Sequence, residues 1–491
     1  MNQSLPDSPA AEAQERVRQL IGSGLLAEAD KMCREVLGAV PDDPEMLLSL
    51  ARFADQGGER PRAILLLEQA LGMGGVSWEV YNLLCHLYRL DGRLDEARAA
   101  GHAALGQPGV TAVGPFNLAW VYQERHEFEE AATCLLHALA LDPGYVPAHV
   151  GLGQLLLRNG EFAPGWAEYT WLFRLDHMHD VLPKFNAPEW NGMQLPKGRI
   201  LLVGDQGYGD TIQFARYIPQ VRERVGDIVI GCSRELLPVI SSVRGVSVEA
   251  CFTQWADIPG FCAYCPLSSL PRIFETKLDS IPASVPYLRA DPAKVAHWSA
   301  RLTEVVGTHA LRVGIAWAGR PTHPDDHQRS LKWAQLRPLT GLEGVALISL
   351  QKEIRESDQS EFPGGTGVLD LSPELGDFSD TAAVIENLDL VVSVDSSVAH
   401  LAGALAKPVW LMLPWLPDWR WMLDREDSPW YPTMRLFRQR SRGDWDEVIT
   451  RIKRGVEVES AAHRGRRSLE HRSSVVGQAF STSKRRDARS H

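Results

Sequence analysis

The N-terminal third of this 491-residue chain repeats with a period of 34 residues, as from Ala29 to Ala63. Two alanine columns, one leucine column and one glycine column share that interval, and His126 replaces glycine in one repeat. The columns contain Ala29, Ala63, Ala97 and Ala131; Ala70, Ala104 and Ala138; Leu50, Leu84, Leu118 and Leu152; and Gly24, Gly58, Gly92 and Gly160. A period of this length predicts units that pack against their neighbours in the chain and form an array instead of a single core.

The period, with its leucines, small residues and paired alanines, resembles the tetratricopeptide repeat. Each unit is then expected to be a helical hairpin, with glycine in the turn and alanine where the helices approach closely. We expect five repeats over residues 10–176, the last one weaker because Gly165 replaces an alanine. Such an array either holds a peptide or partner protein, or serves as a spacer or dimerisation arm, and the sequence leaves both open.

Composition and charge exclude several classes of protein. A hydrophobic content of 44% with 23% charged residues is that of a folded chain, and the net charge of −11 argues against nucleic-acid binding. Residues 456–491 hold eight Lys or Arg against four Asp or Glu, so we expect a basic, disordered tail there. Seven cysteines, no apolar leader and no long apolar run predict a cytoplasmic protein without a membrane span.

Beyond residue 176 the period ends, and prolines indicate a linker over residues 177–198. Apolar runs at 199–203 and 227–231, each followed by a helical segment, predict a first βαβ series. A second series begins with the run Val313–Trp317. We therefore expect an α/β region of two Rossmann-like lobes, at 199–308 and 309–455, with a ligand cleft between them.

A strand, a turn and a helix are predicted around Asp395. The apolar run Leu388–Val394 stops at Asp395, and Ser396 or Ser397 is expected to be the N-cap of the helix that follows. The carboxyl end of a parallel strand is where ligands bind, and a helix N-terminus there favours a phosphate. The segment therefore predicts a nucleotide or sugar-phosphate site.

A glycine-rich turn, Gly204–Asp210, follows the strand at 199–203. It lacks the full dinucleotide-binding fingerprint, so a nicotinamide cofactor is not favoured. Gly207 and Gly209 would let the backbone approach a ligand closely. Asp210 then either projects into the cleft or only caps the helix.

Together, the GD loop, the R-S-x-K-W loop that contains Lys332 and the D-S-S-V-A-H-L-A segment resemble the glycosyltransferases related to lipopolysaccharide heptosyltransferases. More narrowly, the chain is similar to bacterial proteins that join tetratricopeptide repeats to such a domain, and the resemblance covers roughly Trp190 to Ile452. It implies a GT-B fold with the donor mainly on the C-terminal lobe. It also implies inverting transfer with no essential metal and no cofactor.

The resemblance also implies roles for single residues. Asp210 matches a proposed general base, which would take the proton from the attacking acceptor hydroxyl. The residues expected to bind the nucleotide-sugar donor are Arg329, Ser330, Lys332, Gln351, Asp395, Ser396, Ser397 and His400. The cations would offset charge on the leaving diphosphate. Alternatively, Arg329 and Lys332 are solvated loop charges, Asp395 caps the helix and His400 is a packing histidine.

Some residues depart from the family pattern. Asp205 stands where glutamate is common, and the long loop has His323, Asp325, Asp326 and His327 where asparagine is common. This loop cluster is not expected to bind a metal. Trp419 and Trp430 either line the donor pocket or fill the core.

Three functions remain open from the sequence. The first is a glycosyltransferase that uses a nucleotide sugar and modifies a protein or surface-glycan acceptor recruited by the repeats. The second is a non-catalytic scaffold whose transferase domain has lost turnover. The third is another GT-B enzyme acting on nucleotide sugars, such as an epimerase.

Overall fold

The computed structural model describes residues 9–39, 43–74, 76–176, 178–362 and 367–487. Residues 40–42, 75, 177 and 488–491, which belong to the expected repeats, linker and tail, therefore lie outside the described residues. The fold divides between Leu155 and Leu156 into two units. Among the described residues, no helix combines the length and apolar composition needed to cross a membrane.

The repeat region consists of successive helices joined by short turns. The helices are Pro9–Gly22, Leu26–Ala39, Pro44–Gln56, Arg60–Met73, Trp78–Leu90, Leu94–Leu105, Val113–Glu124, Phe128–Leu141, Val146–Arg158 and Phe162–Tyr169. The glycine column lies in the turns with φ between 74° and 86°, and His126 adopts φ 59° at the equivalent position. Glycine takes this left-handed conformation without a steric penalty, which explains the column. The predicted place of glycine in the hairpin turns is confirmed.

The alanine columns lie between helices. Ala29, Ala63, Ala97 and Ala131 are all fully buried. A methyl side chain allows helix axes to approach closely, and larger side chains at these points would push the helices apart. The 34-residue period of the sequence therefore reflects the repeated close packing of helices.

The first lobe is a four-stranded parallel sheet in the order β3-β2-β1-β4. Its strands are β1 Leu195–Val203, β2 Val225–Gly231, β3 Cys251–Phe252 and β4 Ala263–Pro266. Its α-helices are Tyr208–Phe214, Ile218–Arg222, Leu237–Ile240 and Leu270–Ile273, preceded in the linker by Met178–Val181. The helix after the glycine-rich turn begins at Tyr208, and the carboxylate of Asp210 caps it by accepting a hydrogen bond from the N–H of Gly207.

The second lobe is a six-stranded parallel sheet in the order β10-β9-β8-β5-β6-β7. Its strands are β5 Leu311–Ala316, β6 Val345–Ser349, β7 Val368–Asp370, β8 Leu390–Val394, β9 Val409–Leu413 and β10 Met434–Arg438. Helix Pro292–Val306 precedes β5, and the α-helices after β5 are Asp326–Arg329, Trp333–Leu336, Glu356–Gln359, Phe378–Glu386, Ser397–Ala404 and Trp445–Asp487. A helical repeat region followed by two parallel sheets confirms the predicted fold class, and it is consistent with a GT-B arrangement.

The C-terminal segment differs from the expectation of disorder. The last helix continues without interruption from Trp445 to Asp487. Its first turns are buried through Trp445, Val448 and Ile452, and Ser460 Oγ donates a hydrogen bond to the carbonyl of Glu343 at 2.8 Å. Proline is absent from the segment and arginine and alanine are frequent, so a helix that is already nucleated can continue.

Candidate functional site

Two helix N-termini meet at the carboxyl ends of β1 and β8. Helix Tyr208–Phe214 follows β1, helix Ser397–Ala404 follows β8, and the two helices pack against each other. A Cβ atom added at Gly209 would lie 2.8 Å from Cδ2 of His400. The expected close approach at Gly209 is therefore present, and its partner is a side chain of the opposite lobe.

Asp210 lies in the first turn of its helix and makes two kinds of contact. Its Oδ2 accepts a hydrogen bond from the N–H of Gly207 at 3.0 Å, and an added Cβ at Gly207 would lie 3.1 Å from the same oxygen. Its Oδ1 accepts a hydrogen bond from Nη2 of Arg420 in an ion pair. Asp210 thus caps the helix and also joins the two lobes.

Arg420 is a residue of the site that sequence reasoning did not find. Its guanidinium is about nine-tenths buried, pairs with Asp418 Oδ1 at 2.9 Å and donates to Gln213 Oε1. Burial alone would lower the pKa of Arg420, but Asp418 and Asp210 outweigh burial and raise it. The sequence indicates such a role only through the position of Asp418 and Arg420 in a tryptophan-rich segment. Charged side chains in a segment of this kind are normally paired when they are buried.

Asp395 follows β8 and faces the same centre. Burial, with the neighbouring charge of Asp418, raises the pKa of Asp395 to about 6, although Arg329 and Arg420 act in the opposite direction. Its Oδ1 lies 3.8 Å from Nε2 of His400. Asp395 is therefore a carboxylate that gains a proton near pH 6, and it lies beside the histidine that approaches Gly209 of the other lobe.

His400 is buried between aromatic rings. Its Nδ1 is 2.9 Å from the hydroxyl of Tyr431, and its ring centroid is 5.4 Å from that of Trp421. Burial, together with Arg420, lowers the pKa of His400 well below its ordinary value, so the imidazole is neutral. Its contacts match the alternative of a packing histidine, placed beside Asp395 and Gly209.

Ser396 is the N-cap of helix Ser397–Ala404, as predicted. Its side chain makes no capping hydrogen bond, and its Oγ lies 3.2 Å from Oγ of Ser393. Ser397 is the first residue of the helix. The side chain of Ser396 thus does not cap the first turn of this helix, and an uncapped helix N-terminus is an arrangement that binds phosphate in other proteins.

The expected donor residues in the polar loop between β5 and helix Trp333–Leu336 fall into two groups. Arg329 faces inward, with Nη2 2.8 Å from the position a Cβ would take at Gly319, and its charge acts on Asp395 and His400. Lys332 is exposed at the start of the short helix Trp333–Leu336. In the described part of the chain, no hydrogen bond or ion pair joins the Lys332 ammonium to Asp210 or Asp395. The structure therefore brings Asp210, Arg329, Asp395 and His400 together and leaves Lys332 at the surface.

Ser330 and Gln351 hold the loop in place. Ser330 Oγ accepts a hydrogen bond from the N–H of Gly319 at 3.0 Å and donates one to Asp326 at 2.7 Å. Gln351 Oε1 accepts from the N–H groups of Trp317 and Ala318 at 3.2 and 3.1 Å. Both side chains are engaged by the protein, so their contacts support the loop that carries Arg329.

The acidic and histidine-containing loop is organised by other contacts. Asp326 pairs with Arg355 at 2.7 Å, and His323 Nδ1 accepts a hydrogen bond from the N–H of Asp325 at 3.1 Å. Across the described ranges, no three His, Cys, Asp or Glu side chains converge as metal ligands. Trp419 and Trp430 are 1% exposed and belong to the core, the second of the two alternatives.

Several buried N–H donors near this centre lack an acceptor. Among the described residues, Gln206 Nε2, Gln213 Nε2 and Arg329 Nε are buried and make no hydrogen bond. Gln206 lies in the glycine-rich turn, and Gln213 contacts Arg420. Buried donors in native proteins are normally satisfied, and the acceptor oxygens of a bound ligand would satisfy these three.

Comparisons with known proteins agree with both halves of the chain. The tetratricopeptide repeat family matches residues 116–163, and glycosyltransferase family 9 (heptosyltransferase) matches residues 332–410. Protein FlbA of Caulobacter vibrioides is 26% identical over 458 residues, which cover 84% of this chain and 73% of the relative.

Similar solved structures cover about a third of the chain. A crystal structure of MamA is 21% identical and covers 32% of this chain and 92% of its own, with a TM-score of 0.29. PilW, described as a type IV pilus biogenesis factor, is 18% identical and covers 36% and 82%, with a TM-score of 0.33. MamA from Desulfovibrio magneticus is 17% identical and covers 36% and 99%, with a TM-score of 0.31. The chain carries tetratricopeptide repeats and a glycosyltransferase family 9 domain.

Proposed function

We propose that this chain transfers a sugar from a nucleotide-sugar donor to an acceptor hydroxyl, with inversion at the anomeric carbon and without a metal. The acceptor is a protein or surface glycan that the repeats recruit. The observation that carries the proposal is the meeting of Asp210 with Arg420, beside Asp395, where β1 and β8 end. At one centre, a carboxylate can accept the proton of the acceptor hydroxyl, and a guanidinium group can stabilise the negative charge of the donor phosphates.

Asp210 is the general base in this proposal. An inverting transfer requires a group that takes the proton from the acceptor hydroxyl as its oxygen attacks the sugar. The side chain of Asp210 retains 23% exposure, so an acceptor can reach it. Arg420 fixes the orientation of the carboxylate through Oδ1, and the acceptor would approach the outer face of the carboxylate.

In this proposal the donor diphosphate lies against the second lobe. Arg329 supplies a guanidinium with an unpartnered buried N–H, and helix Ser397–Ala404 supplies backbone N–H groups. Both would stabilise the negative charge that develops on the leaving nucleotide. Lys332 would act from the rim, and Asp395 would accept a hydroxyl of the sugar or the ribose.

The same proposal includes the domain limits. The repeats occupy 10–176, the linker 177–198, the acceptor lobe 199–308 and the donor lobe 309–455. The segment 456–491 follows the donor lobe, and its described part continues the last helix to Asp487.

One observation favours a second candidate, a scaffold that binds a nucleotide sugar without turnover. Both carboxylate oxygens of Asp210 already accept hydrogen bonds, from Gly207 and Arg420. If Arg420 keeps Oδ1 and Gly207 keeps Oδ2 when the ligands bind, half of the lone-pair sites of the carboxylate stay engaged by the protein and only one remains on each oxygen for an acceptor hydroxyl. The two candidates differ in turnover and not in donor binding.

The test begins with thermal shifts of the full chain in the presence of ADP-, GDP-, UDP- and CMP-sugars. A rise in Tm with one nucleotide identifies the donor, and release of the corresponding nucleoside diphosphate then reports turnover. Asp210→Asn should abolish that release and leave donor affinity nearly unchanged. The matched control is Asp291→Asn, which alters another capping aspartate, at helix Pro292–Val306, and should keep full turnover.

The outcomes separate the candidates. Absence of a shift with every nucleotide sugar would overturn both. Binding without release of nucleoside diphosphate in any acceptor fraction would support the scaffold. Release that is equal in Asp210→Asn and the wild type would remove Asp210 as the base.

A further inference from the structure

The last helix of the repeat region, Phe162–Tyr169, belongs to the same structural unit as the two sheets. Its aromatic side chains are buried against the loop that carries Arg420. Trp166 packs edge-on against Trp419 with ring centroids 5.2 Å apart, and its Nε1 donates to the carbonyl of Thr276 at 3.0 Å. The helix is therefore fixed to both lobes by a hydrogen bond and by ring packing.

Tyr169 contacts a neighbour of each residue of the Asp210–Arg420 ion pair, which joins the two lobes. Its hydroxyl donates a hydrogen bond to Gln206 Oε1 at 3.2 Å, in the glycine-rich turn that ends at Asp210. Its ring lies 5.7 Å from that of Trp419, and the guanidinium of Arg420 lies 4.3 Å above the Trp419 ring. One buried side chain thus contacts the turn before Asp210 and the residue before Arg420.

A second contact of the same hairpin supports the same loop. Arg158, at the end of helix Val146–Arg158, is buried, and its Nε donates to the carbonyl of Pro417 at 3.1 Å. Pro417 precedes Asp418, which pairs with Arg420. The hairpin therefore holds the 417–420 segment from two points, and a site built on a loop needs such support to keep its geometry.

We infer that Tyr169 is a positioning residue for the transfer site, holding Asp210 and Arg420 in register across the lobes. The inference rests on the proposed function, because it assigns Asp210 and Arg420 to the reacting centre. Tyr169 does not contact substrate in this assignment. It affects the rate of transfer by holding Gln206 and Trp419 in position. The last repeat therefore helps to maintain the geometry of the transfer site.

The test compares two variants of the full chain that each lose one buried hydroxyl. Tyr169→Phe keeps the ring against Trp419 and loses the hydrogen bond to Gln206. Tyr217→Phe is the matched control, because it loses a buried hydrogen bond to Thr276 Oγ1 of 2.8 Å that does not involve the glycine-rich turn. Both variants should lose similar thermal stability.

Turnover and local opening should separate the two variants. In Tyr169→Phe we expect kcat to fall about 10-fold while KM for the donor stays within about twofold, since misplaced groups cost rate more than binding. Amide hydrogen exchange of residues 204–214 should become faster in Tyr169→Phe and stay unchanged in Tyr217→Phe. Gln206→Ala should slow transfer to a similar extent, and the double variant should show little additional loss.

The results distinguish failure of this inference from failure of the proposed function. If the wild type releases no nucleoside diphosphate, exchange over 204–214 decides the positioning role by itself. Equal kcat and equal exchange in Tyr169→Phe and Tyr217→Phe would overturn it. An additive double variant would also overturn it, because Tyr169 and Gln206 would then act independently.

Discussion

Asp210, which follows β1 of the first lobe, and Arg420, which follows β9 of the second lobe, form an ion pair that joins the two lobes. Arg420 also pairs with Asp418, so a single guanidinium serves two carboxylates. The pair fixes the distance between the lobes at the place where the proposed base lies. It also explains how a buried cation is tolerated next to several aromatic rings.

Removing the cation should therefore destabilise the protein strongly. Arg420→Met keeps the length of the side chain and leaves Asp210 and Asp418 without their partner, which should lower the free energy of unfolding by about 3 kcal/mol. Urea unfolding measures the loss. Arg301→Met is the control, because Arg301 and Glu374 form a bidentate pair near the surface, where solvent screens the charges and the loss of stability should be much smaller. Equal losses would contradict a special role for the Arg420 pair.

Asp205 should make stability depend on pH. Its carboxyl is 2% exposed, and burial raises its pKa from 3.8 to about 6 despite hydrogen bonds from Ser268. The folded state then binds the proton more tightly than the unfolded state, so stability decreases as pH rises from about 4 through 6.

Asp205→Asn mimics the protonated carboxyl and should remove that decrease. Relative to the wild type, the variant should gain about 3 kcal/mol between pH 4 and pH 7, as measured by urea unfolding at both pH values. Parallel stability curves for the two proteins would show that Asp205 is not the group responsible.

Gly209 should not accept a side chain. Gly209→Ala would place Cβ 2.8 Å from Cδ2 of His400, whose ring is held by Tyr431 and Trp421. We expect a loss of about 1 to 3 kcal/mol in the free energy of unfolding. Gly260→Ala meets no atom within 4 Å and should be nearly neutral, so similar losses in both variants would contradict this packing.

Arg329 should contribute more to donor binding than its exposed neighbour Lys332. Arg329→Gln removes a guanidinium that faces Asp395 and should weaken the affinity for the stabilising nucleoside diphosphate about 10-fold by calorimetric titration. Arg337→Gln, which alters a surface pair with Glu361, is the control and should leave affinity unchanged. A larger effect from Lys332→Gln than from Arg329→Gln would favour the lysine that the family resemblance indicated.

Local features of the fold could be predicted from neighbouring residues. The alanine and glycine columns predicted the hairpins, because helix packing and left-handed turns each restrict residue size at fixed spacing. The run before Asp395 predicted β8 and the N-cap at Ser396, since apolar length and a capping hydroxyl are both read over a few positions. Gln351 and Ser330 were predicted to bind the donor, and their hydrogen bonds to Trp317, Ala318 and Asp326 could not be predicted from neighbouring residues.

The sequence by itself determined the repeat period, the parallel strands and the glycine-rich turn, because each depends on the spacing of residues within a short segment. Only the tertiary structure decided that Arg420 reaches Asp210, 210 positions away, and that Tyr169 supports both. The continuation of the last helix beyond Val456 was likewise decided by packing of its first turns. Such contacts form only when the separate lobes pack together. A buried charge without a partner is energetically costly, so the packed structure pairs each buried charge with a residue that is distant in the sequence and that no local pattern identifies.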